Sequence, residues 1–372
     1  MKNKLFSVLL VTLLTIVFTL SAFAVELAPD GFPVPRVVKD RPIKIGAVYT
    51  NRATESVIRN WQQAEIEAAH RGWELVQQEG FNDAGFRDIV QAYVNQNVDA
   101  IIINCMPMLA LKDLIVKARE KGIGVYNQDS QLVTGVISNV TQPNGVVALE
   151  LFYKVGEDLK WEGKIAVIGF PAFQVCVERT EPIKAIITAY PTLELVGEEF
   201  CEIGGAPERQ QAYDFTKRWI TKYGKDLKVV VSAWDGGAVG AANAIKASGF
   251  DQTQIFSIGI DGGSETWAYL RDKTPFKYSF AQPFELYQHN VFELIDQMQI
   301  KGLKPGDEGC VIGRYGETIY EKGRVVSTDS VPDVGSSVHE VFNYYGEDPN
   351  DLDAWYNWQE AGGPYNVGTG IK

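Results

Sequence analysis

Histidine is scarce in this sequence, and lysine and arginine are outnumbered by acidic residues. The 372 residues include three histidines, at positions 70, 289 and 339, and these are widely separated. Such spacing gives neither a metal-binding cluster nor a Ser-His-Asp catalytic set. The 35 basic and 47 acidic residues leave a formal net charge of −12, whereas nucleic-acid binding requires clustered positive charge. We therefore expect no metal, no other cofactor, no nucleic-acid partner and no enzymatic activity.

Long apolar runs are absent after the N-terminus. Residues 1–24, MKNKLFSVLLVTLLTIVFTLSAFA, combine a basic start, an apolar centre and the small-residue sequence Ala22-Phe23-Ala24. This pattern is typical of a secretory signal peptide with an A-x-A cleavage site. The apolar run also approaches the length of a membrane span, so an uncleaved anchor is the alternative. The small-residue site favours cleavage, and we expect an exported protein.

Cysteine is also infrequent. The four cysteines, at 105, 176, 201 and 310, lack the C-x-x-C spacing of zinc and redox sites. An oxidising compartment allows one disulfide. We expect Cys176 to pair with Cys201, because each lies near the end of an element in the same predicted subdomain.

From Pro42 onward, short apolar strands alternate with amphipathic helices. Such alternation predicts βαβ units and a parallel sheet. The pattern restarts after the VISNVTQPNG segment, which predicts two consecutive doubly wound α/β domains, with hinge crossings near 138–144 and 281–283. Residues 331–372 carry many aromatics and little periodicity, so we expect an aromatic-rich C-terminal extension with one helix at 350–360.

Ligands bind outside the carboxyl ends of the strands in open α/β sheets. The side chains at or just after the predicted strand ends include amides, carboxylates, a guanidinium and aromatics. Amides, carboxylates and guanidinium groups pair well with vicinal hydroxyls, and aromatic faces cover the apolar face of a sugar ring. We predict a ligand-binding site for a small sugar or polyol that contains Asn51, Asn104, Asp129, Phe173, Arg179, Trp234, Asp261 and Gln282.

Each of these residue types also has a purely structural explanation. Asp235 precedes a helix, and we interpret it as the N-cap of that helix. Asp261 precedes two glycines, and the alternative is that it forms part of a turn. The alternative for Trp234 is that its side chain packs in the core. The coincidence of so many such residues at strand ends favours a cleft.

Six segments, in this order, resemble the periplasmic sugar-binding proteins of ABC importers, of the ribose-binding and galactose-binding type. The resemblance covers roughly residues 42–326. The segments are IKIGAVYT, GIGVYNQDS, VERTEPI, VVVSAWDGGAVGAANAI, SIGIDGG and FAQP.

This resemblance implies a type I periplasmic binding protein fold, α/β, with two doubly wound parallel-sheet domains joined by a three-strand hinge. The expected boundaries are 42–138 plus 283–306 for the first domain and 139–282 plus 307–330 for the second. It also implies a periplasmic monomer that delivers its ligand to an ABC transporter permease in the inner membrane. The alternative is a ligand-sensing partner of a histidine kinase or chemoreceptor.

The same resemblance implies that Asp129, Arg179, Asp261 and Gln282 bind sugar hydroxyls. Two departures from the family pattern bear on the ligand. Trp234 stands where the ribose and galactose binders commonly have asparagine, and the loop after the first strand, TNRATESV, lacks the aromatic pair of ribose binders. We therefore expect a small polar carbohydrate or polyol other than ribose, glucose or galactose.

Overall fold

The computed structural model describes residues 26–52, 54–203 and 206–335. These residues form two six-stranded sheets, each covered by helices on both faces. The predicted fold class, two doubly wound α/β domains, is confirmed. The expected signal peptide at 1–24 and the expected helix at 350–360 lie outside the described residues.

The elements follow the alternation that the sequence predicts. The strands are β1 (Lys44–Tyr49), β2 (Glu74–Glu79), β3 (Ala100–Asn104), β4 (Gly124–Gln128), β5 (Ser138–Thr141), β6 (Gly163–Gly169), β7 (Leu193–Phe200), β8 (Leu227–Ser232), β9 (Phe256–Asp261), β10 (Phe276–Ala281), β11 (Glu317–Tyr320) and β12 (Arg324–Ser327). The helices are α1 (Glu55–Arg71), α2 (Asp83–Gln96), α3 (Lys112–Glu120), α4 (Asn144–Leu159), α5 (Gln174–Ala189), α6 (Glu208–Tyr223), α7 (Asp235–Ala247), α8 (Ser264–Arg271) and α9 (Phe284–Ile295).

The first sheet has the strand order β11-β5-β4-β3-β1-β2, and all of its pairings are parallel. Strand β3 shows how the sheet is covered on both sides. Ile102 packs in the cluster that contains α1 and α9 residues, whereas Ile101 and Ile103 pack in the cluster with α2 and α3 residues. Because successive side chains point to opposite faces, a continuous apolar run is what a doubly covered strand requires.

The second sheet has the order β12-β10-β9-β8-β6-β7. Its pairings are parallel except for the antiparallel pair between β10 and β12. Helices α4 and α5 supply one face of its core, and α6, α7 and α8 supply the other. The carboxyl ends of both parallel sheets face the space between the domains, where the cavity described below lies.

The chain crosses between the sheets three times: after β5, after β10, and between β11 and β12. The first two crossings match the predicted hinge segments, and the third completes the predicted three-strand hinge. One boundary needs correction, because residues 307–330 do not all belong to the second domain. Strand β11 pairs with β5 of the first sheet, whereas β12 pairs with β10 of the second. These two strands have four residues each, too short for sequence periodicity to reveal them.

In the described part of the chain, none of the helices has both the length and the apolarity needed to cross a membrane.

Candidate functional site

A cavity of about 490 Å³ lies between the two domains at the carboxyl ends of their strands. Residues of both domains line it, as expected for the crevice of doubly wound sheets. Of the eight predicted site residues, seven line this cavity: Asn51, Asn104, Asp129, Phe173, Arg179, Trp234 and Asp261. The strand-end pattern therefore identified a set of residues that the fold brings together.

Arg179 of α5 lies at the centre of the polar wall and is almost completely buried. Its Nη2 donates to Oδ2 of Asp129 at 3.2 Å, and its Nη1 lies 3.8 Å from Oδ1 of Asp261. Asp129 comes from the first domain, whereas Arg179 and Asp261 come from the second. One guanidinium thus contacts acidic side chains of both domains, and burial strengthens its charge-assisted hydrogen bond to Asp129.

The same guanidinium is connected to the first hinge crossing. Its Nε donates to Oδ1 of Asn144 at 2.8 Å, and the Thr141 hydroxyl donates to Oδ1 of Asp129 at 2.8 Å. Asp129 itself adopts a positive φ of 44° at the end of β4, a conformation that non-glycine residues adopt mostly at constrained sites. The hinge segment therefore orients both members of the pair between Asp129 and Arg179.

Gln282 is the predicted site residue that does not line the cavity. It is fully buried, and its Nε2 donates to Oδ1 of Asp261 at 2.9 Å. Its backbone N–H also donates to the Asp261 carbonyl oxygen at 2.6 Å. In this structure Gln282 therefore orients the Asp261 side chain without itself lining the cavity.

Asp235 has a different role from the N-cap that the sequence predicts. It is the first residue of α7, Trp234 occupies the N-cap position, and no side chain caps this helix. Instead, Oδ2 of Asp235 accepts hydrogen bonds from the Gly262 N–H at 2.8 Å and the Thr266 hydroxyl at 2.9 Å. The Ser279 hydroxyl donates to the same oxygen at 2.8 Å. The buried carboxylate thus fixes the loop that follows Asp261.

Burial raises the pKa of Asp261 above that of an ordinary carboxyl, and the nearby charges of Asp235 and Asp129 add to this effect. Arg179 acts in the opposite direction and lowers the pKa of Asp261. Burial likewise raises the pKa of Asp235, although its three hydrogen bonds oppose the rise. The Asp261 carboxyl therefore has a higher pKa than an ordinary aspartate carboxyl.

We expect Asp261→Asn to become progressively more stable than the wild type as pH rises from about 4 to about 8. A carboxyl whose pKa is raised on folding binds more protons in the folded state, so its contribution to stability falls with increasing pH. Thermal unfolding of ligand-free protein across this range measures the difference. Asp113→Asn is the matched control, because the Asp113 carboxyl is exposed and its pKa is lowered to about 2. A constant difference between Asp261→Asn and wild type would contradict the proposed protonation.

Three of the aromatic side chains that line the cavity form a cluster in the second domain. The Phe170 and Phe173 rings meet edge to face with centroids 4.7 Å apart, and Trp234 lies 5.3 Å from Phe170. Phe173 is buried, whereas Trp234 is only partly buried. The indole therefore has both a packed side and a side available to the cavity.

The disulfide predicted between Cys176 and Cys201 is not formed, and Cys105, Cys176, Cys201 and Cys310 are all free. Cys176 and Cys201 pack in one apolar cluster of the second domain. Burial raises the pKa of each of these two thiols to about 12. Because the thiolate is the species that reacts, their environment disfavours oxidation.

Several lining residues were absent from the sequence prediction. They lie on α1, in the loops after β2 and β7, and at the first residues of α6 and α9; examples are Ser56, Val57, Asn60, Phe81, Glu208 and Phe284. Phe81 follows a predicted strand, so the strand-end rule could have found it. The helical residues carried no such signal, because their positions depend on how the two domains meet.

The described residues include no cluster of three or more histidine, cysteine or acidic side chains that could hold a metal ion. Neither His70 nor His289 lines the cavity, and His339 lies outside the described residues.

Comparisons with known proteins agree with this architecture. This chain is 27% identical to the xylitol-binding protein of Mycolicibacterium smegmatis over 192 residues, covering 51% of this chain and 53% of that protein. It is 25% identical to the ribose import binding protein of Bacillus subtilis over 212 residues, covering 56% and 66% respectively. The matches thus span between about half and two-thirds of these relatives.

A solved structure has the same fold. An ABC transporter solute binding protein from Agrobacterium vitis, with bound allitol, superposes with a TM-score of 0.67 at 21% identity. The match covers 77% of this chain and 96% of that one. The names of all three describe binding proteins, in agreement with the prediction of a non-enzymatic protein. The family model described as a periplasmic binding protein domain matches residues 47–298, more than half of the sequence, so this chain belongs to the periplasmic binding protein family.

Proposed function

We propose that this protein binds one small, neutral sugar or polyol in the cavity between its domains and delivers it to an ABC transporter permease in the inner membrane. The observation that carries the proposal is the contact of Arg179 with Asp129 and Asp261 in a cavity that Phe170, Phe173 and Trp234 also line. A small-molecule site needs this combination of a few convergent polar groups and apolar walls. The names of the two relatives, which refer to xylitol and ribose, support this ligand class.

The charges of the cavity favour a ligand without negative charge. Asp129, Glu208 and Asp261 line the cavity, and among the described lining residues Arg179 is the sole lysine or arginine. The guanidinium is already engaged by Asn144, Asp129 and the Ala233 carbonyl oxygen. A phosphate or carboxylate on the ligand would meet acidic side chains without a second lysine or arginine among the described lining residues to pair with it, whereas hydroxyl groups can donate to carboxyl oxygens.

The two-domain arrangement supports binding by closure. Asp129 and Arg179 belong to different domains and lie 3.2 Å apart in this structure. A ligand that contacts both residues favours the closed state, because it gains contacts there that the open state lacks. We propose that the three crossings form the hinge and that the closed state is the form recognised by the permease.

Native mass spectrometry of ligand-free protein incubated with an equimolar mixture tests this function. The mixture contains xylitol, allitol, ribose and glucose together with ribose phosphate and gluconate as anionic counterparts. We expect one neutral compound to be retained in a one-to-one complex. Preferential retention of an anionic compound, or no retention by protein shown to be folded, would reject the proposal.

A further inference from the structure

Helix α1 of the first domain contacts the second domain outside the polar row of the cavity. Its first residue, Glu55, and the residue one turn later, Arg59, both reach the segment 261–265, which we name the Asp261 loop. Neither Glu55 nor Arg59 is among the residues that line the cavity. Their contacts therefore act on the site from outside it.

Glu55 caps a helix of the opposite domain. Its Oε1 accepts a hydrogen bond from the Ser264 N–H at 2.7 Å, and its Oε2 accepts from the Ser264 hydroxyl at 3.0 Å and the Glu265 N–H at 3.4 Å. These amides are the first two of α8, whose own N-cap residue is Gly263 and has no side chain to offer. The carboxylate thus supplies, from the other domain, the acceptor that helix N-termini require. Its negative charge also suits the positive end of the helix dipole.

Arg59 holds the start of the same loop. Its Nη1 donates to the Gly262 carbonyl oxygen at 2.7 Å, and its Nη2 donates to the Gln282 carbonyl oxygen at 3.1 Å. Glu285 fixes the guanidinium through two contacts of 2.7 Å. Gln282 lies at the second hinge crossing and binds Asp261, so α1 contacts both the loop that carries Asp261 and the hinge residue behind it.

We propose that Glu55 is an interdomain latch: it positions the Asp261 loop and stabilises the closed state without touching the ligand. The effect of this latch on ligand binding rests on the proposed function, because it requires that a ligand binds in the cavity between the domains. When the domains separate, the hydrogen bonds between the Glu55 carboxylate and the α8 amides break. Ligand release requires this separation, so the latch slows release. The ligand associates with the open protein, in which the latch is not formed, so the association rate does not depend on the latch.

Two substitutions remove the latch in different ways. Glu55→Ala deletes the carboxylate. Gly263→Ala leaves Glu55 intact, but the added Cβ would lie 2.7 Å from the carboxylate carbon and one of its oxygens. The φ of Gly263 is −174°, an extended conformation that alanine adopts without strain. Gly263→Ala should therefore displace the carboxylate while preserving charge and backbone.

We expect each variant to increase the dissociation rate of xylitol or ribose about 3- to 30-fold, with little change in association rate. The double variant should release ligand no faster than Glu55→Ala alone, because both changes remove one interaction. Stopped-flow kinetics measures these rates. Glu120→Gln, an exposed carboxylate at the end of α3, is the matched control and should behave as the wild type.

A second readout needs no ligand. Small-angle X-ray scattering of ligand-free protein should give a larger radius of gyration for Glu55→Ala and Gly263→Ala than for the wild type, and both variants should still unfold cooperatively. An unchanged radius and unchanged release rates in both variants would overturn the latch. If the wild type binds no compound of the neutral panel, the proposed function fails, while the scattering comparison still decides whether the latch exists.

Discussion

Arg179→Met should abolish ligand binding and lower the free energy of unfolding by about 3–5 kcal/mol, because it leaves buried carboxylates without their partner. Both Asp129 and Asp261 depend on this guanidinium, whose side chain is 3% exposed. Methionine fills similar space but donates no hydrogen bond. The loss should therefore exceed that of any other single contact in the cavity. Calorimetric titration and chemical denaturation measure the two effects.

The control for this substitution is Arg218→Met. Arg218 forms an ion pair with Glu199 on the surface, and its side chain is 57% exposed, so its removal should change stability by at most about 1 kcal/mol. Adding Asp129→Asn to Arg179→Met should recover part of the lost stability, because it removes the buried carboxylate that has lost its partner. Wild-type affinity in Arg179→Met would show that the ligand binds elsewhere. If Arg179→Met does not fold, Arg179→Lys keeps the charge and loses the fork geometry, and it should still weaken binding.

Trp234→Ala should weaken ligand binding by roughly 30- to 150-fold, which corresponds to about 2–3 kcal/mol of lost aromatic contact. Its effect on melting temperature should be small by comparison. Trp234 lines the cavity and is only partly buried, with Phe170 as its neighbour on the packed side. Titration with the ligand and thermal unfolding of the same preparation compare the two effects directly.

Trp161→Ala provides the opposite pattern. Trp161 stacks on Tyr190 with centroids 4.4 Å apart and is not among the residues that line the cavity. Its removal should lower the melting temperature and leave affinity unchanged. If Trp234→Ala instead behaves like Trp161→Ala, the indole belongs to the core and the apolar wall of the site lies elsewhere.

Local patterns in the sequence were sufficient for the fold and for seven of the residues that line the cavity. Apolar runs such as β3 and helical spacings such as α1 are local features, and parallel strands necessarily bring their carboxyl ends to one edge. Asn104 and Asp129 could therefore be placed at one edge of the first sheet, and Asp261 at the corresponding edge of the second. Their identification required only the position of each strand end.

Contacts between residues far apart in the sequence could not be predicted in this way. The sequence predicts Asp235 as an N-cap, but its carboxyl group accepts hydrogen bonds from Gly262, Thr266 and Ser279 instead. These contacts depend on how α7 packs against the sheet. Glu55 meets Ser264 across more than 200 residues. Periodicity contains no information about such pairs, since the Asp235 contacts follow from packing within the second domain and the Glu55 contact follows from the arrangement of the two domains.

The central claim is that a neutral sugar or polyol binds between the domains through the row of Asp129, Arg179 and Asp261. Isothermal titration of ligand-free wild type and Arg179→Met, side by side, with the same panel of alditols, pentoses and hexoses tests it most directly. The account predicts saturable one-to-one binding of at least one compound to the wild type and none to Arg179→Met. Equal binding by both proteins, or no binding by a wild type that unfolds cooperatively, would contradict it.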